Sequence, residues 1–333
     1  MKKILGYLLP LALAAFLLWY TYKDQDLEKM FHDFGTARIT PVILTMFTTL
    51  FAHYIRALRW NMLFEPLGYR PAASGSFLAV MSGYFANLLV PRAGELSRCT
   101  ILSASDDIPV TTAIGTVLAE RAFDMLMLLL IALAAFGLEF ETLSTFFLRM
   151  QEKYGMKEST GSNLKLIFVV SLAIISVFAL VFRKTLLQIP LVVKIMGMVK
   201  GLMEGLMSIG RLKNPGLFIL YTLLIWACYY FTTYISLSMF SFTDDLGIKA
   251  AFMLLIAGSF GIVVPVPGAV GGPFQVFVSA ALTQLYQKEE TMSVTAASAM
   301  YWTQVIFSLG AGGLCYLLAI LRANQKKKAA ENV

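Results

Sequence analysis

Three charged residues, Glu120, Arg121 and Asp124, lie within the apolar segment 111–137. Glu120 and Asp124 are four positions apart and share one face of a helix, where two carboxylates repel each other. Arg121 can reach Asp124 across a spacing of three, but Glu120 needs another cation. Charges at membrane depth are costly and usually pair with one another, so this segment predicts a buried polar site.

Cations that could pair with these carboxylates occur in the stretch NLLVPRAGELSR. Here Arg92, Glu95 and Arg98 recur every three positions and would line one side of a helix. We expect at least one of Arg92 and Arg98 to lie within salt-bridge distance of Glu120 or Asp124. Two interpretations stay open: a salt-bridge network that fixes helix packing, or a site for the head group of an amphiphile. In the second, Arg92 and Arg98 would bind phosphate, and the carboxylates would orient them or bind an amine.

A third stretch, GSFGIVVPVPGAVGGPF, contains five glycines and three prolines within seventeen residues. It lies in the uncharged segment 250–287, which as one straight helix would be about 57 Å long against a hydrocarbon core of about 30 Å. The segment must therefore fold back, and we place its tip at Pro265, Pro267, Gly268 and Gly271. A re-entrant helical hairpin fits best, and two thin spans joined by a tight turn are the alternative.

The segment 72–105 is a second candidate hairpin, with its tip at Pro91 and Gly94. Its second limb is too short to cross a membrane and carries two charges, so it should line a cavity or lie within protein. Its sequence GYFANLLVPRAG is similar to GSFGIVVPVPGA in the later hairpin, and the two hairpins enter from opposite sides. Such inverted repeats place broken helices around a midplane site in transporters. Neutral polar residues that would face this site are Asn87, Gln275 and Gln304.

The elements that must position these residues are membrane-spanning helices. The chain is 58% hydrophobic and only 14% charged, with a mean hydropathy of +0.72, whereas soluble domains carry about 25% charged residues. The predicted fold is therefore an all-α polytopic membrane protein, with six full spans and two re-entrant hairpins arranged as an inverted repeat. The predicted spans are 4–22, 40–58, 111–137, 164–182, 216–240 and 294–321.

These segments form one integral membrane domain over residues 1–325, followed by a basic C-terminal tail over residues 326–333. The first repeat covers about 40–137 and the second about 216–321. Between them, the segment 186–212 mixes charged and apolar residues, which is typical of an amphipathic helix at the cytoplasmic surface.

The distribution of the 27 Lys and Arg residues predicts the orientation. They are more numerous in the segments on the side of the N-terminus, which places both termini in the cytoplasm of a bacterial inner membrane. In this assignment Arg56 and Arg59 are inside charges at the end of a span. The net charge of +7 suits anionic lipid head groups. Nucleic acid is a poor partner because the charge is not gathered in a soluble domain.

Signatures of enzymes and cofactor sites are missing from the sequence, which has no HExxH, no P-loop and no serine with a plausible histidine partner. The three cysteines are far apart. The acid pairs Asp106–Asp107 and Asp244–Asp245 are better explained as solvated loop residues than as metal ligands. We therefore expect no metal, no cofactor and no enzymatic activity.

The charged motifs and the glycine-rich stretch resemble the lysylphosphatidylglycerol synthase transmembrane region family, which includes the flippase-like domain of the multiple peptide resistance factor. The resemblance rests on Asn87, Pro91, Arg92, Gly94, Glu95, Arg98, Glu120, Arg121 and Asp124, and on the run Pro267-Gly268-Ala269-Val270-Gly271. It implies a membrane-embedded lipid translocator. Family members often carry a polar or charged residue after the glycine-rich turn and an arginine in the last span. This chain departs at Phe274 and Gln275, and at Tyr301 to Gln304, so its substrate need not be the same lipid.

The leading functional hypothesis is a lipid translocase that moves a lipid or lipid-linked molecule through a cavity between the two hairpins. Its partners would be membrane lipids, anionic or zwitterionic, and a homo-oligomer stays open. One alternative is an enzyme that modifies lipid head groups, with Glu120 or Asp124 as general base. Another is a non-transporting scaffold of an envelope-synthesis complex. An open pocket beside a carboxyl of raised pKa would favour the enzyme, and a sealed, fully paired charge network would favour the scaffold.

Overall fold

The computed structural model describes residues 15–23, 25–90, 93–142, 212–263 and 272–331, together with positions 12, 144, 145 and 210. Throughout these residues the regular structure is helical, without a strand, as predicted for the all-α class. In chain order the helices are α1 (Leu27–Gly35), α2 (Ile39–Met62), α3 (Ala73–Leu89), α4 (Ala93–Asp106), α5 (Val110–Leu138), α6 (Pro215–Leu237), α7 (Ile248–Val263), α8 (Pro273–Gln284), α9 (Glu290–Phe307) and α10 (Gly313–Glu331).

Four stretches of helix in the described part of the chain are long and apolar enough to cross a membrane. Their bounds are Ile39–Leu67, Val110–Leu138, Pro215–Leu237 and Glu290–Lys326. They coincide with the predicted spans 40–58, 111–137, 216–240 and 294–321. The last of them contains a π-helical turn, Ser308–Gly312, which joins α9 to α10.

Three predicted segments lie wholly or largely outside the described residues. The predicted span 164–182 is entirely outside, and so is almost all of the amphipathic segment 186–212. Of the predicted span 4–22, residues 15–22 are described and are helical.

Four shorter helices pack as two pairs, α3 with α4 and α7 with α8. Their lengths of 17, 14, 16 and 12 residues correspond to about 18–26 Å at 1.5 Å per residue, which is less than the ~30 Å hydrocarbon core. Both pairs coincide with the predicted hairpin segments. The predicted tip residues Pro91, Pro265, Pro267, Gly268 and Gly271 lie outside the described residues, whereas Gly94 opens α4.

Glycines set the close approach within each pair. A Cβ atom on Gly94 would lie 2.1 Å from the carbonyl oxygen of Gly83 and 2.6 Å from the Asn87 side chain. In the second pair, a Cβ on Gly261 would lie 2.6 Å from the Cα of Phe274. Only glycine permits backbones to come this close, so the glycines of both predicted hairpins serve helix packing.

The buried apolar side chains form two clusters. The first surrounds Trp60, Leu102 and Phe218 and joins α2, α4 and α6. The second surrounds Leu254 and Leu282, together with the loop after α6. In contrast, large apolar side chains along the outer faces of the long helices are exposed, as expected of surfaces that face lipid.

Ion pairs tie the helix ends together outside the apolar layer. At the end where α2 begins, Arg38 donates two hydrogen bonds of 2.7 Å to the Asp244 carboxylate. The hydrogen bond and charge of Arg38 lower the pKa of Asp244 below its usual value. At the opposite end, Lys326 donates to Asp107 and to the carbonyl oxygen of Ser105. The acid pairs predicted to be solvated loop residues are therefore partners of basic side chains.

Candidate functional site

Glu120 forms the centre of a buried charge cluster. It lies on α5, its side chain is fully buried, and four arginines reach its carboxylate. The nitrogen–oxygen distances are 2.6 Å to Arg56, 3.0 Å to Arg98, 3.2 Å to Arg121 and 3.4 Å to Arg59. The predicted contact of Arg98 with Glu120 is thus confirmed.

Asp124 lies one helical turn further along α5 and shares three of the same arginines. Arg59 donates a hydrogen bond of 2.7 Å to one oxygen, and Arg56 donates a short one to the other. Arg121 lies 3.5 Å from Asp124, as its spacing of three predicts. The two carboxylates therefore share a face because guanidinium groups lie against both and offset their mutual repulsion.

Arg56 connects four helices through its side-chain nitrogens. From α2, its Nε and Nη2 donate to Glu120 and Asp124 on α5. Its Nη1 donates to the hydroxyl of Tyr84 on α3 at 2.6 Å and to that of Tyr229 on α6 at 2.9 Å. With every nitrogen engaged, Arg56 is a structural centre of the site.

The sequence analysis counted Arg56 and Arg59 only among the inside charges and named neither as a site residue. Their side chains are 6% and 0% exposed and belong to the charge cluster. The reason is that α2 continues to Met62, so both lie within a buried helix face. Arg56 and Arg59 are three residues apart on one helix, and the two carboxylates are four residues apart on another. This matching spacing was the signal in the sequence that could have revealed the pairing. The contributions of Tyr84 and Tyr229 had no such signal in the sequence.

Arg98, in contrast, has unused hydrogen-bonding capacity. It is 4% exposed, and its guanidinium lies 4.8 Å from the centre of the Trp60 ring. Among the residues that the structure describes, neither its Nε nor its Nη2 has a hydrogen-bond partner. A buried donor without a partner is costly, and an anion placed against Arg98 would satisfy it.

A pocket opens beside Arg98, between α3, α4 and α5. Its cavity volume is about 60 Å³, and it is open to the surroundings. Glu95 and Arg121 are half exposed and lie 3.5 Å apart. The residues that line the pocket are Arg56, Val80, Gly83, Tyr84, Asn87, Gly94, Glu95, Arg98 and Arg121. Five of the predicted site residues are therefore brought to one pocket: Asn87, Gly94, Glu95, Arg98 and Arg121.

Asn87 has a second role in this pocket. Its side-chain oxygen accepts a hydrogen bond of 2.7 Å from the backbone N–H of Gly94. This bond satisfies one of the free N–H groups at the start of α4. Arg92, predicted to bind phosphate, lies outside the described residues, as does Pro91.

The two predicted site residues of the second half are elsewhere. Gln275 is fully buried at the start of α8, where its side-chain oxygen accepts a 2.8 Å hydrogen bond from the N–H of Gly272. Gln304 on α9 accepts a 3.0 Å hydrogen bond from the hydroxyl of Thr49. Neither lines the pocket beside Arg98. The side chains described at that pocket come from the first half of the chain.

The arrangement is suited to binding an anion. Within the described part of the chain, four arginines face three carboxylates, which leaves one positive charge in excess: Arg56, Arg59, Arg98 and Arg121 against Glu95, Glu120 and Asp124. The described residues contain no group of three metal-ligating side chains. The excess of guanidinium groups suits charge-assisted hydrogen bonds to a phosphate or carboxylate.

Apolar spanning helices around a buried, cationic pocket define a class of protein: an α-helical membrane protein with a polar site at the level of its spans. Comparison with known proteins gives the family. The chain belongs to the family of the lysylphosphatidylglycerol synthase TM region, whose model matches residues 7–310.

A relative supports this assignment over part of the chain. The UPF0104 membrane protein MJ1595 of Methanocaldococcus jannaschii is 29% identical over 137 residues. These cover 40% of this chain and 38% of the relative, so the match spans about two-fifths of each. No solved structure matches the chain significantly.

Proposed function

We propose that this protein moves a lipid or lipid-linked molecule across the membrane and binds the anionic part of its head group against Arg98. The observation that carries the proposal is the pocket itself, in which a buried guanidinium has two nitrogens without described partners. Stability alone is a weak reason to bury so many charges. The cavity volume of about 60 Å³ is several times the roughly 10–15 Å³ that one water needs, so it has room for a group such as a phosphate, with the rest of the lipid outside.

The paired short helices support an inverted-repeat architecture for this transport. When GYFANLLVPRAG is laid against GSFGIVVPVPGA, Gly83 aligns with Gly258. Both are sites of close helix contact: a Cβ on Gly83 would lie 2.8 Å from the Gly94 oxygen, and one on Gly258 would lie 2.5 Å from the Phe274 ring. The aligned glycines thus both lie where the two helices of a pair come close, although Gly83 faces backbone and Gly258 faces a side chain.

We infer from this architecture the finer topology of six spans and two re-entrant hairpins, with both termini in the cytoplasm of a bacterial inner membrane. The four helices of spanning length and the four shorter ones support it. In this arrangement the pocket would lie between a hairpin and a span, where non-helical backbone faces a cavity rather than lipid.

The alternative of a head-group-modifying enzyme has less support. Its proposed general bases, Glu120 and Asp124, are bound by four and three arginines respectively. A general base must reach the proton it removes, and both carboxylates are held in ion pairs with guanidinium groups. The Oε2 atom of Glu120 accepts no hydrogen bond from the described residues, but it lies 3.0 Å from Nη1 of Arg98. The scaffold alternative expects a sealed, fully paired network, whereas the pocket beside Arg98 is open.

The test is an Arg98→Lys variant reconstituted in vesicles. Lysine keeps the charge but loses the planar fork that holds a phosphate by two bonds. One charge-assisted hydrogen bond is worth about 1.5–3 kcal/mol, which corresponds to a roughly 10- to 150-fold lower rate of lipid movement. Movement is followed by the loss of fluorescence of labelled phosphatidylglycerol or phosphatidylethanolamine after a membrane-impermeant reductant is added.

The matched control is Arg70→Lys, because Arg70 is exposed and does not line the pocket. This variant should move lipid at the wild-type rate. If Arg98→Lys, folded to the same yield, also moves both lipids at the wild-type rate, its guanidinium does not bind the head group and the proposal fails. Mass spectrometry of co-purified lipids then identifies the head group in the wild-type protein.

A further inference from the structure

His53 is a buried titratable residue that the anion site does not use. It lies on α2 and is 5% exposed. Its ring stacks on that of Tyr84, with 3.9 Å between centroids and 27° between planes. Its Nδ1 is buried and has no hydrogen-bond partner within the described ranges. Because Tyr84 lines the pocket and accepts from Arg56, a single aromatic ring separates His53 from the anion site.

The charges around His53 make its protonation depend on the pocket. Arg56 lies three positions further along the same helix, so its positive charge is close to His53. The helices packed against α2 present neutral phenols, Tyr84 on α3 and Tyr229 on α6, and neutral Gln304 on α9. The acidic side chains of α5 that approach α2, Glu120 and Asp124, are bound by arginines.

A proton on His53 would therefore add a second cation beside Arg56 without a free counter-charge. An anion in the pocket supplies that counter-charge. Anion and proton then favour each other's binding, and by linkage the effect is reciprocal.

We infer that His53 binds a proton whenever the head-group phosphate occupies the pocket, so that lipid and proton move together; this inference rests on the proposed function. Histidine is the side chain that most readily changes charge in the physiological pH range. Burial disfavours a charged imidazole, so His53 can take up the proton only when the anion supplies a counter-charge. The Nδ1 without a described partner is the atom that takes up the proton. Proton binding at His53 would make lipid movement responsive to a pH gradient.

The experiment measures protons taken up when a short-chain phosphatidylglycerol binds the full-length protein in detergent. A phosphodiester is chosen because it does not itself titrate near neutral pH. Calorimetry at pH 7 in buffers of different ionisation enthalpy gives the number of protons per lipid. The wild type should take up a measurable fraction of one proton, and its affinity should fall towards a limit of roughly tenfold per pH unit as the pH rises.

Two variants identify the residue, because the chain contains only two histidines. His53→Gln should bind the lipid with no proton uptake, and His53→Phe, which keeps the stacking on Tyr84, serves if the glutamine variant does not fold. His32→Gln is the matched control: the His32 side chain is 80% exposed, and its loss should leave the uptake unchanged. If neither His53 variant folds, the His32→Gln variant decides. Proton uptake that persists in it supports His53, and proton uptake that disappears in it overturns the inference.

Vesicle transport measured in parallel separates this inference from the proposed function. Proton uptake that disappears in His53→Gln, with no lipid movement in vesicles, supports His53 and contradicts transport. Binding and movement without any proton uptake, or with uptake that persists in a His53 variant, overturns the inference and leaves the proposed function standing. Failure to bind either phosphatidylglycerol or phosphatidylethanolamine overturns both.

Discussion

Glu120→Gln is the substitution that tests the charge cluster most directly. The replacement keeps the shape of the side chain but removes the negative charge towards which four arginines converge. The described charge cluster, with four arginines and three carboxylates, would then change from one to two positive charges in excess. Because Glu120 is fully buried, water cannot compensate. Removing one partner of a buried ion pair typically costs about 3–5 kcal/mol, so we expect a loss of folding free energy in that range.

The control for this prediction is Glu95→Gln, which removes a carboxylate that lines the pocket beside Arg98. The Glu95 side chain is 46% exposed, and in the described part of the chain it forms an ion pair with Arg121 at 3.5 Å. An exposed pair contributes about 0–1 kcal/mol, so this variant should unfold nearly as the wild type does. The assay is reversible unfolding in mixed micelles, followed by near-ultraviolet circular dichroism.

A second substitution separates charge balance from packing. In the double variant Glu120→Gln with Arg98→Met, one cation is removed together with the carboxylate, so the described charge excess returns to that of the wild type. Part of the lost free energy should be recovered, because coupled charges do not contribute additively. If Glu120→Gln costs no more than Glu95→Gln, the cluster does not depend on the Glu120 charge and the reasoning fails.

Two further predictions concern packing and pH. Gly94→Ala should destabilise the protein by roughly 1–3 kcal/mol, because its Cβ would lie 2.1 Å from a backbone oxygen. Gly137→Ala is the control: a Cβ there would have no atom within 4 Å, so the variant should be as stable as the wild type. If Gly94→Ala also unfolds as the wild type does, the close packing of α3 on α4 is contradicted. Because Arg38 lowers the pKa of Asp244, the stabilisation from this pair is complete above the ordinary aspartate pKa and is lost as the pH falls through the lowered one. Arg38→Gln should therefore reduce the acid sensitivity of unfolding below about pH 4, and an identical pH profile would count against the pair.

The sequence was sufficient to predict the helical class and the positions of the spanning helices that the structure describes. Apolar length determines these elements, since a run of about 20 apolar residues has few alternatives to a spanning helix. The same reasoning predicted the short helices around the glycine-rich stretches. Proline, glycine and charge limit how far such helices extend, and these signals are local.

The charge cluster was predicted only in part. The Glu120 and Asp124 spacing required cations, and Arg98 was correctly named as one of them. Arg56 and Arg59 were missed because their burial depends on α2 packing beside α5, which the order of residues in α2 does not reveal. Tyr84 and Tyr229 were missed for a related reason: a phenol in an apolar helix becomes a ligand of Arg56 only once α3 and α6 are in place.

The π-helical turn Ser308–Gly312 has a consequence for how this chain aligns with its relatives. A π-turn accommodates one residue more than an α-helical turn, so it offsets the faces of α9 and α10 by about 100°. Gln304, before the turn, is bonded to Thr49, and Arg322, after it, is bonded to Ser74. A relative with an uninterrupted α-helix here should either lack one residue between these positions or present one of the two side chains on a different face of the helix.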